Sequence, residues 1–220
     1  MMKKSIYSLL LSDAVVEAAD RLAYQKGTSR SALIDELLAE ALSCVTPEMR
    51  MRDIFVSLEE IMKTSQAFRL MGRNSDSMLS MHSALQYKYR PTIRYSIELY
   101  RQFRGNVFGE LRIQSRTQNG QLLGALEDFY RIWIEIEHLI LGRDAATYSL
   151  SGGRLRRSLS LPKGQNYCSD EALGSGIGSY IQCFDCGMKI YFEELTSQMF
   201  KKERIHRLIA DYFANEPLIL

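Results

Sequence analysis

The segment SIYSLLLSDAVVEAADRLA, residues 5–23, contains two hydrophobic patterns that belong to different elements. Residues 5–12 alternate as an extended strand with large side chains on both faces. The two sets are Tyr7, Leu9 and Leu11 on one face and Ile6, Ser8 and Leu10 on the other. From Asp13 onward the apolar residues recur at helical spacing. We therefore predict a short strand that runs directly into a helix, although no neighbouring strand is available beside it.

The bulk composition is that of an ordinary globular protein. The 220 residues are 46% apolar and 25% charged. Lys3 and Lys4 before a leucine run suggest a secretory signal, but the run is short, Ser8 interrupts it and no small-residue cleavage site follows. No apolar run approaches the ~20 residues of a membrane span. We therefore expect a soluble, cytoplasmic protein that does not bind a membrane.

Charge is unevenly distributed along the chain. Residues 1–45 carry five basic and six acidic side chains, so their net charge is −1. Residues 46–118 carry twelve against seven, a net +5, and residues 119–220 carry eleven against thirteen, a net −2. The middle of the chain is therefore its basic part.

Two amphipathic helices are predicted after the strand. The first covers residues 13–26, has Ser12 as a candidate N-cap and ends at Gly27. The second begins after the N-cap Ser29, and its apolar stripe contains Leu33, Ile34, Leu37, Leu38 and Ala41.

This order of strand, helix, GTSR turn and second helix within the first 43 residues resembles the ribbon-helix-helix family of DNA-binding proteins. The resemblance implies an obligate homodimer, because one such unit is too small to bury a core and leaves its strand unpaired. Two strands would pair as an antiparallel ribbon that enters the major groove, and the start of the second helix would hold a phosphate.

Carried over to this chain, the resemblance assigns DNA contacts to Lys3, Lys4, Ile6, Ser8, Leu10, Ser29 and Arg30. The chain departs from the family pattern because Ile6 and Leu10 are aliphatic where base-reading residues are usually polar. They could contact thymine methyl groups. A ribbon that serves only for dimerisation is the alternative, and the net charge of −1 in this segment is consistent with it.

The remaining chain is divided into a connecting helix within 46–74 and an α+β domain over 75–220. A third helix is predicted from Thr46-Pro47 to about Leu70, and a short helix over roughly 76–86. Further predictions are a hairpin over 87–117 with its turn near Gly105-Asn106, a helix over 119–141, a strand over 153–161 and a terminal helix over about 196–214. Residues 177–193 fit a helix and a strand almost equally. The expected class is α+β: a strand-swapped ribbon-helix-helix unit followed by a mainly helical domain with a small antiparallel sheet.

A second candidate contact lies on the predicted hairpin, whose even-numbered positions are polar. Arg90, Arg94, Arg112 and Arg116 share that face, and a turn near residue 105 would place Arg94 opposite Arg116 and Glu98 opposite Arg112. Such a face could bind phosphate or another anion, or it could be a solvated surface. Arg154, Arg156 and Arg157 would extend it if 153–161 joins the sheet.

Candidate chemistry is otherwise sparse. Cys183 and Cys186 form a CxxC without a second pair, so buried structural cysteines are favoured over zinc or redox chemistry. The histidines at 82, 138 and 206 are scattered, and no nucleophile-base constellation is recognisable. We expect no metal, no cofactor and no catalysis.

These observations favour a dimeric DNA-binding transcriptional regulator, with repression as the expected mode, that binds double-stranded DNA. Its C-terminal domain would sense an unidentified ligand, add DNA contacts or join two dimers. The alternatives are an assembly protein that uses the N-terminal unit only to dimerise, and an antitoxin.

Overall fold

The computed structural model describes residues 8–87, 90–161, 168–197 and 202–215. The chain divides after Arg50 into two compact units, Met1–Arg50 and Met51–Leu220. The helices are α1 (Asp13–Lys26), α2 (Arg30–Ala41), α3 (Pro47–Thr64), α4 (Gly120–Leu141), α5 (Asp170–Thr196) and α6 (Lys202–Ala214). The strands are β1 (Phe68–Ser75), β2 (Met78–Ala84), β3 (Thr92–Arg104), β4 (Val107–Ser115), β5 (Tyr148–Ser151) and β6 (Arg154–Ser160). Helices and one antiparallel sheet together confirm the coarse prediction of mixed α and β structure.

Sequence-encoded caps mark the end of α1 and the start of α2, whereas Ser12 takes the N-cap position of α1 without a capping hydrogen bond from its side chain. Gly27 takes the left-handed conformation, with φ of 63°, and its N–H donates to the carbonyl of Tyr24 at 3.2 Å. The Ser29 hydroxyl then accepts a hydrogen bond from the amide of Ala32 at 3.2 Å and caps α2. Both helix boundaries agree with the prediction to within a residue or two.

The strand predicted over residues 5–12 is not present in the part of it that the structure describes. Residues 8–12 form no strand and are exposed, and residues 5–7 lie outside the described residues. A single strand has no hydrogen-bonding partner within one chain, so its backbone groups have no ladder to join. The ribbon-helix-helix arrangement as a whole therefore stays a prediction.

The six strands of the second unit form one sheet in the order β1-β2-β3-β4-β6-β5, and every pair in it is antiparallel. In β2, β3 and β6 the odd-numbered side chains point to the core. For β3 this is the alternation expected from the sequence. Leu79, Tyr95 and Leu155 are examples of buried residues on that face. The opposite side of the sheet is polar.

Helices α3 to α6 contribute to the same core as the inward face of the sheet. Aromatic side chains dominate it, with the rings of Trp133 on α4 and Phe184 on α5 4.6 Å apart between centroids. The hydroxyl of Tyr95 donates to the carboxylate of Asp185 at 2.8 Å, which ties β3 to α5. All four helices therefore belong to one layered core with the sheet.

Arg157 points into this core, so the prediction that it extends the surface arginines is wrong. It is 1% exposed, and it donates to Glu137 of α4 through Nε at 3.2 Å and Nη2 at 3.0 Å. The same carboxylate accepts hydrogen bonds from Tyr148 at 2.6 Å and Tyr180 at 3.1 Å. The buried charge pair is thus fully hydrogen-bonded, which is the condition under which such a pair is tolerated.

Several predicted boundaries between residues 46 and 86 were wrong. The third helix ends at Thr64 instead of near Leu70, and the expected short helix at 76–86 is instead strand β2. Leu79 and Met81 face the core, whereas Ser80 and His82 lie on the other side of the strand, so this segment follows a period of two. The sheet is consequently much larger than the small sheet expected, and the connecting segment 46–74 contains strand β1 as well as a helix.

Later elements were predicted more accurately. Helix α4 begins within a residue of the expected position, with Asn119 as its N-cap, and the strand over 153–161 is β6. Residues 177–193, which by sequence fit a helix and a strand almost equally, lie in helix α5. Strand β5 was missed, and the terminal helix begins at Lys202 because α5 continues to Thr196. Strand β3 starts at Thr92 instead of 87, since Arg90, with φ of 44°, and Pro91 form a loop before it.

Two helical glycines provide a test of this packing. A Cβ at Gly174 of α5 would lie 2.5 Å from the carbonyl oxygen of Ile54 on α3, whereas one at Gly124 of α4 would meet nothing within 4 Å. We expect Gly174→Ala to lower the free energy of unfolding by ~1–3 kcal/mol through overpacking. Gly124→Ala should raise it by up to ~1 kcal/mol through helix propensity. Chemical denaturation of the full chain measures both, and equal effects would contradict the α3–α5 contact.

Candidate nucleic-acid interface

The predicted DNA-contacting residues at the start of α2 are exposed and already engaged within one chain. The Ser29 hydroxyl caps the helix, and the Arg30 guanidinium forms a two-pronged ion pair with the Asp20 carboxylate of α1. The hydrogen bond from Arg30 holds the pKa of Asp20 below its ordinary value. A phosphate at this helix start would have to compete with Asp20 for Arg30.

The candidate groove-facing residues lie before α1. Ser8 and Leu10 are both exposed, and the side chain of Leu10 is fully so. Lys3, Lys4 and Ile6 lie outside the described residues. Of this set the structure therefore describes only Ser8 and Leu10.

The N-terminal unit exposes most of its large apolar side chains. Among the described residues its buried cluster consists of Ala19, Ala23 and Leu33, with the partly buried Leu22 packed against it. Leu38 on α2 is 48% exposed and Val15 on α1 is 50% exposed, although both belong to the predicted apolar stripes. The other exposed leucine and valine side chains of this unit include Leu9, Leu11, Leu37, Leu42 and Val45. Side chains of this kind are usually covered, so the unit has the surface expected of one half of an interface.

The second candidate contact lies on the polar side of the sheet, whose side chains form rows across the strands. We call this surface the polar face and define it by three rows. The first row is Arg69, His82, Arg94, Gln114, Arg154 and Ser151. The second is Ser80, Ser96, Arg112, Arg156 and Ser149, and the third is Met78, Glu98, Glu110 and Ser158.

The predicted register of the hairpin was wrong by two residues. Arg94 pairs with Gln114, Ser96 with Arg112 and Glu98 with Glu110. The turn lies near Gly105-Asn106 as expected, but the pairing shifts between Leu99 and Arg104, so counting from the turn misplaces the rows. Even-numbered residues still face even-numbered residues, and the shared polar face is retained.

The arginines of the polar face differ in how they are neutralised. Arg112 forms ion pairs with both Glu98 and Glu110, so it contributes little net positive charge. The Nη2 of Arg94 donates to the hydroxyl of Ser80 at 3.1 Å, and its Nε is buried with no hydrogen-bond partner among the described residues. Arg154 and Arg156 on β6 are exposed.

The two remaining predicted arginines lie just outside the strands. Arg116 directly follows β4 and is exposed, and Arg90 is exposed in the loop before β3. The positive charges of Arg94 and Arg116 help to lower the pKa of His82, after the larger effect of its partial burial. Arg69 and His82 were missed because Arg69 was assigned to the end of the third helix and His82 to the short helix over 76–86, although their alternation with buried residues carries the signal.

A shallow groove of about 290 Å³ continues the polar face toward β5. Tyr100, Arg104, Tyr148 and Arg156 are among its lining residues. The Arg104 guanidinium lies 4.5 Å from the centre of the Tyr100 ring, a cation–π arrangement. The groove therefore adds one arginine, Arg104, to this surface, and its lining also includes the carboxylate of Glu110.

The sulfur and metal alternatives receive no support from the described residues. Cys183 is buried in α5, and its burial raises the pKa of its thiol to about 12, whereas Cys186 is exposed. In the described part of the chain, no cluster of His, Cys, Asp or Glu could hold a metal ion. Among the same residues, no helix has the length and apolar character to cross a bilayer.

Comparisons with known proteins identify no relative: no family model, curated protein or solved structure matches the chain.

The electrostatics of the polar face can be tested without any ligand. We expect Arg94→Gln to raise the pKa of the His82 imidazole, because one of the positive charges that disfavour its protonation is removed. Proton NMR titration of the three histidines measures this shift. Arg131→Gln on α4 is the control for removal of a surface charge and should leave His82 unchanged. A fall in the pKa of His82 in Arg94→Gln would contradict the arrangement of the first row.

Proposed function

We propose that the chain is a homodimeric, sequence-specific DNA-binding transcriptional regulator of the ribbon-helix-helix type, acting as a repressor. The observation that carries this proposal is the N-terminal unit itself. Its two helices, the Gly27 turn and the Ser29 cap lie where the resemblance requires them, while its apolar stripes stay uncovered in one chain. A second copy would cover those stripes and supply the neighbour that the first strand lacks.

In the proposed dimer, residues 5–11 of two chains pair antiparallel and lie in the major groove. Ser8 offers a hydroxyl that can donate to or accept from a base edge, and Ile6 and Leu10 offer apolar contact to thymine methyl groups. Ser29 and Arg30 contact the flanking phosphates at the start of α2, where the backbone N–H groups and the helix dipole favour an anion. The C-terminal domain then serves as a sensing, DNA-contacting or oligomerisation domain.

The second candidate is an assembly protein in which the unit serves only for dimerisation. The pairing of Arg30 with Asp20 favours this alternative, because it occupies the guanidinium assigned to phosphate. The aliphatic residues Ile6 and Leu10 do so as well, since they cannot hydrogen-bond a base.

Releasing Arg30 from Asp20 distinguishes the two candidates. We expect Asp20→Asn to strengthen binding to the DNA upstream of its own gene by about threefold, roughly the worth of one phosphate contact. Glu17→Gln is the matched control, because it also removes one negative charge from α1 but its partner is Arg21. Arg30→Ala should weaken binding by a similar factor. Fluorescence anisotropy at fixed salt measures all three.

An intact dimer that binds no DNA at low salt would favour the assembly protein. Equal strengthening by Asp20→Asn and Glu17→Gln would mean that net charge alone is responsible, and the assignment of Arg30 to a phosphate would then be wrong.

A further inference from the structure

We propose that the polar face of the C-terminal sheet binds the sugar-phosphate backbone of duplex DNA without reading its sequence. This inference rests on the proposed function, which supplies duplex DNA as the partner. It adds a second DNA contact, on the C-terminal unit instead of the N-terminal ribbon. It concerns mainly Arg69, Arg94, Arg154 and Arg156.

The first argument is charge. The first two rows of the polar face carry five arginines and no carboxylate: Arg69, Arg94, Arg112, Arg154 and Arg156. The only carboxylates in the third row, Glu98 and Glu110, both pair with Arg112. The other four arginines of the first two rows therefore have no ion pair with a carboxylate of the three rows. These four arginines are not directly opposite one another on neighbouring strands, but the polar face carries uncompensated positive charge that attracts an anion.

The second argument is spacing, which favours a polyanion over a small anion. Arg69, Arg94 and Arg154 occupy β1, β3 and β6, so each is two strands from the next in the order of the sheet. Neighbouring strands are ~4.8 Å apart, so these arginines follow a line with steps of roughly 10 Å. They cannot easily converge on one phosphate, but duplex DNA presents a charge about every 1.7 Å along its axis.

The third argument is chemical composition, which favours DNA over an acidic protein. A protein interface usually has an apolar or aromatic centre surrounded by a polar rim. The first two rows contain only arginine, histidine, serine and glutamine. Guanidinium and hydroxyl groups are typical contacts to phosphate oxygens, and such contacts position a protein without specifying a sequence.

The test compares the salt dependence of DNA binding by full-length variants. Arg69→Gln/Arg154→Gln/Arg156→Gln removes three exposed charges from the polar face. Arg131→Gln/Arg143→Gln/Arg207→Gln is the matched control, because it removes three exposed arginines that lie outside the sheet. Binding to a selected operator and to random duplex DNA is measured by anisotropy over a range of salt concentrations.

In the triple variant Arg69→Gln/Arg154→Gln/Arg156→Gln, called the polar-face variant, we expect a shallower plot of log K against log salt. The slope should become less steep by about 0.9 for each phosphate that is no longer neutralised. Its affinity should fall by about thirtyfold for each chain whose polar face loses three phosphate contacts, equally for operator and random DNA, since the ratio between them depends on base contacts. The control variant should change the slope much less. An unchanged slope in the polar-face variant, with wild-type DNA binding intact, overturns this inference alone.

Two further outcomes would overturn it differently. Wild-type protein that binds no DNA would overturn the proposed function together with this inference. Competition by polyglutamate as strong as that by random DNA of equal charge would assign the polar face to an acidic polypeptide instead.

His82 provides an independent readout within the first row. A phosphate near Arg94 and Arg116 would offset the positive charges that lower the pKa of His82. Adding random duplex DNA should therefore raise the pKa of this imidazole in the wild-type protein and much less in the polar-face variant. An identical titration with and without DNA, under conditions in which DNA is bound, would place the phosphates elsewhere.

Discussion

The N-terminal unit has more apolar side chain than two short helices can cover. A helical hairpin of this length buries one small cluster, here Ala19, Ala23 and Leu33, and leaves the outer parts of both apolar stripes in water. Exposing that surface is unfavourable by roughly 25 cal/mol per Å². The same segment begins with a predicted strand for which the described residues supply no partner. Association with a second copy would both cover the apolar surface and pair this strand. The proposed role in DNA binding depends on that association.

The second unit has the opposite character, with a large core of its own. Side chains alternate between the two sides of its sheet. Inward residues such as Tyr95 join the aromatic core, and outward residues such as Arg94 form the polar face. The core also contains the Arg157–Glu137 pair, whose hydrogen bonds link β6 to α4. The basic surface is thus held on a rigid support, which suits a contact that positions DNA.

Local signals predicted the elements that carry strong periodicity and clear caps. Helix α4 follows from its apolar stripe, and the hairpin follows from alternation around Gly105-Asn106. The segment Met78–Ala84 was misassigned because its short apolar pattern fits either period, and pairing with β3 decides between them. The secondary structure of this segment is therefore determined by its tertiary contacts.

The candidate site was predicted only where local alternation determines it, and not where long-range pairing does. The shared face of Arg94 and Arg112 follows from alternation alone, but the irregularity between Leu99 and Arg104 sets the register and the neutralisation of Arg112 by two glutamates. The inward direction of Arg157 depends on Glu137, a residue of α4 that sequence order does not connect to β6. The pairing of Arg30 with Asp20 likewise needs the geometry of the α1–α2 turn.

Sedimentation equilibrium of the full chain tests the central claim most directly. The account predicts a mass of twice the 25.3 kDa of one chain. It also predicts that Leu38→Glu returns the mass to that of a single chain, because this half-exposed residue would lie in the interface. Leu139→Glu on α4, another exposed leucine, should leave the dimer intact. A wild-type mass of one chain, with α1 and α2 folded, would contradict the account.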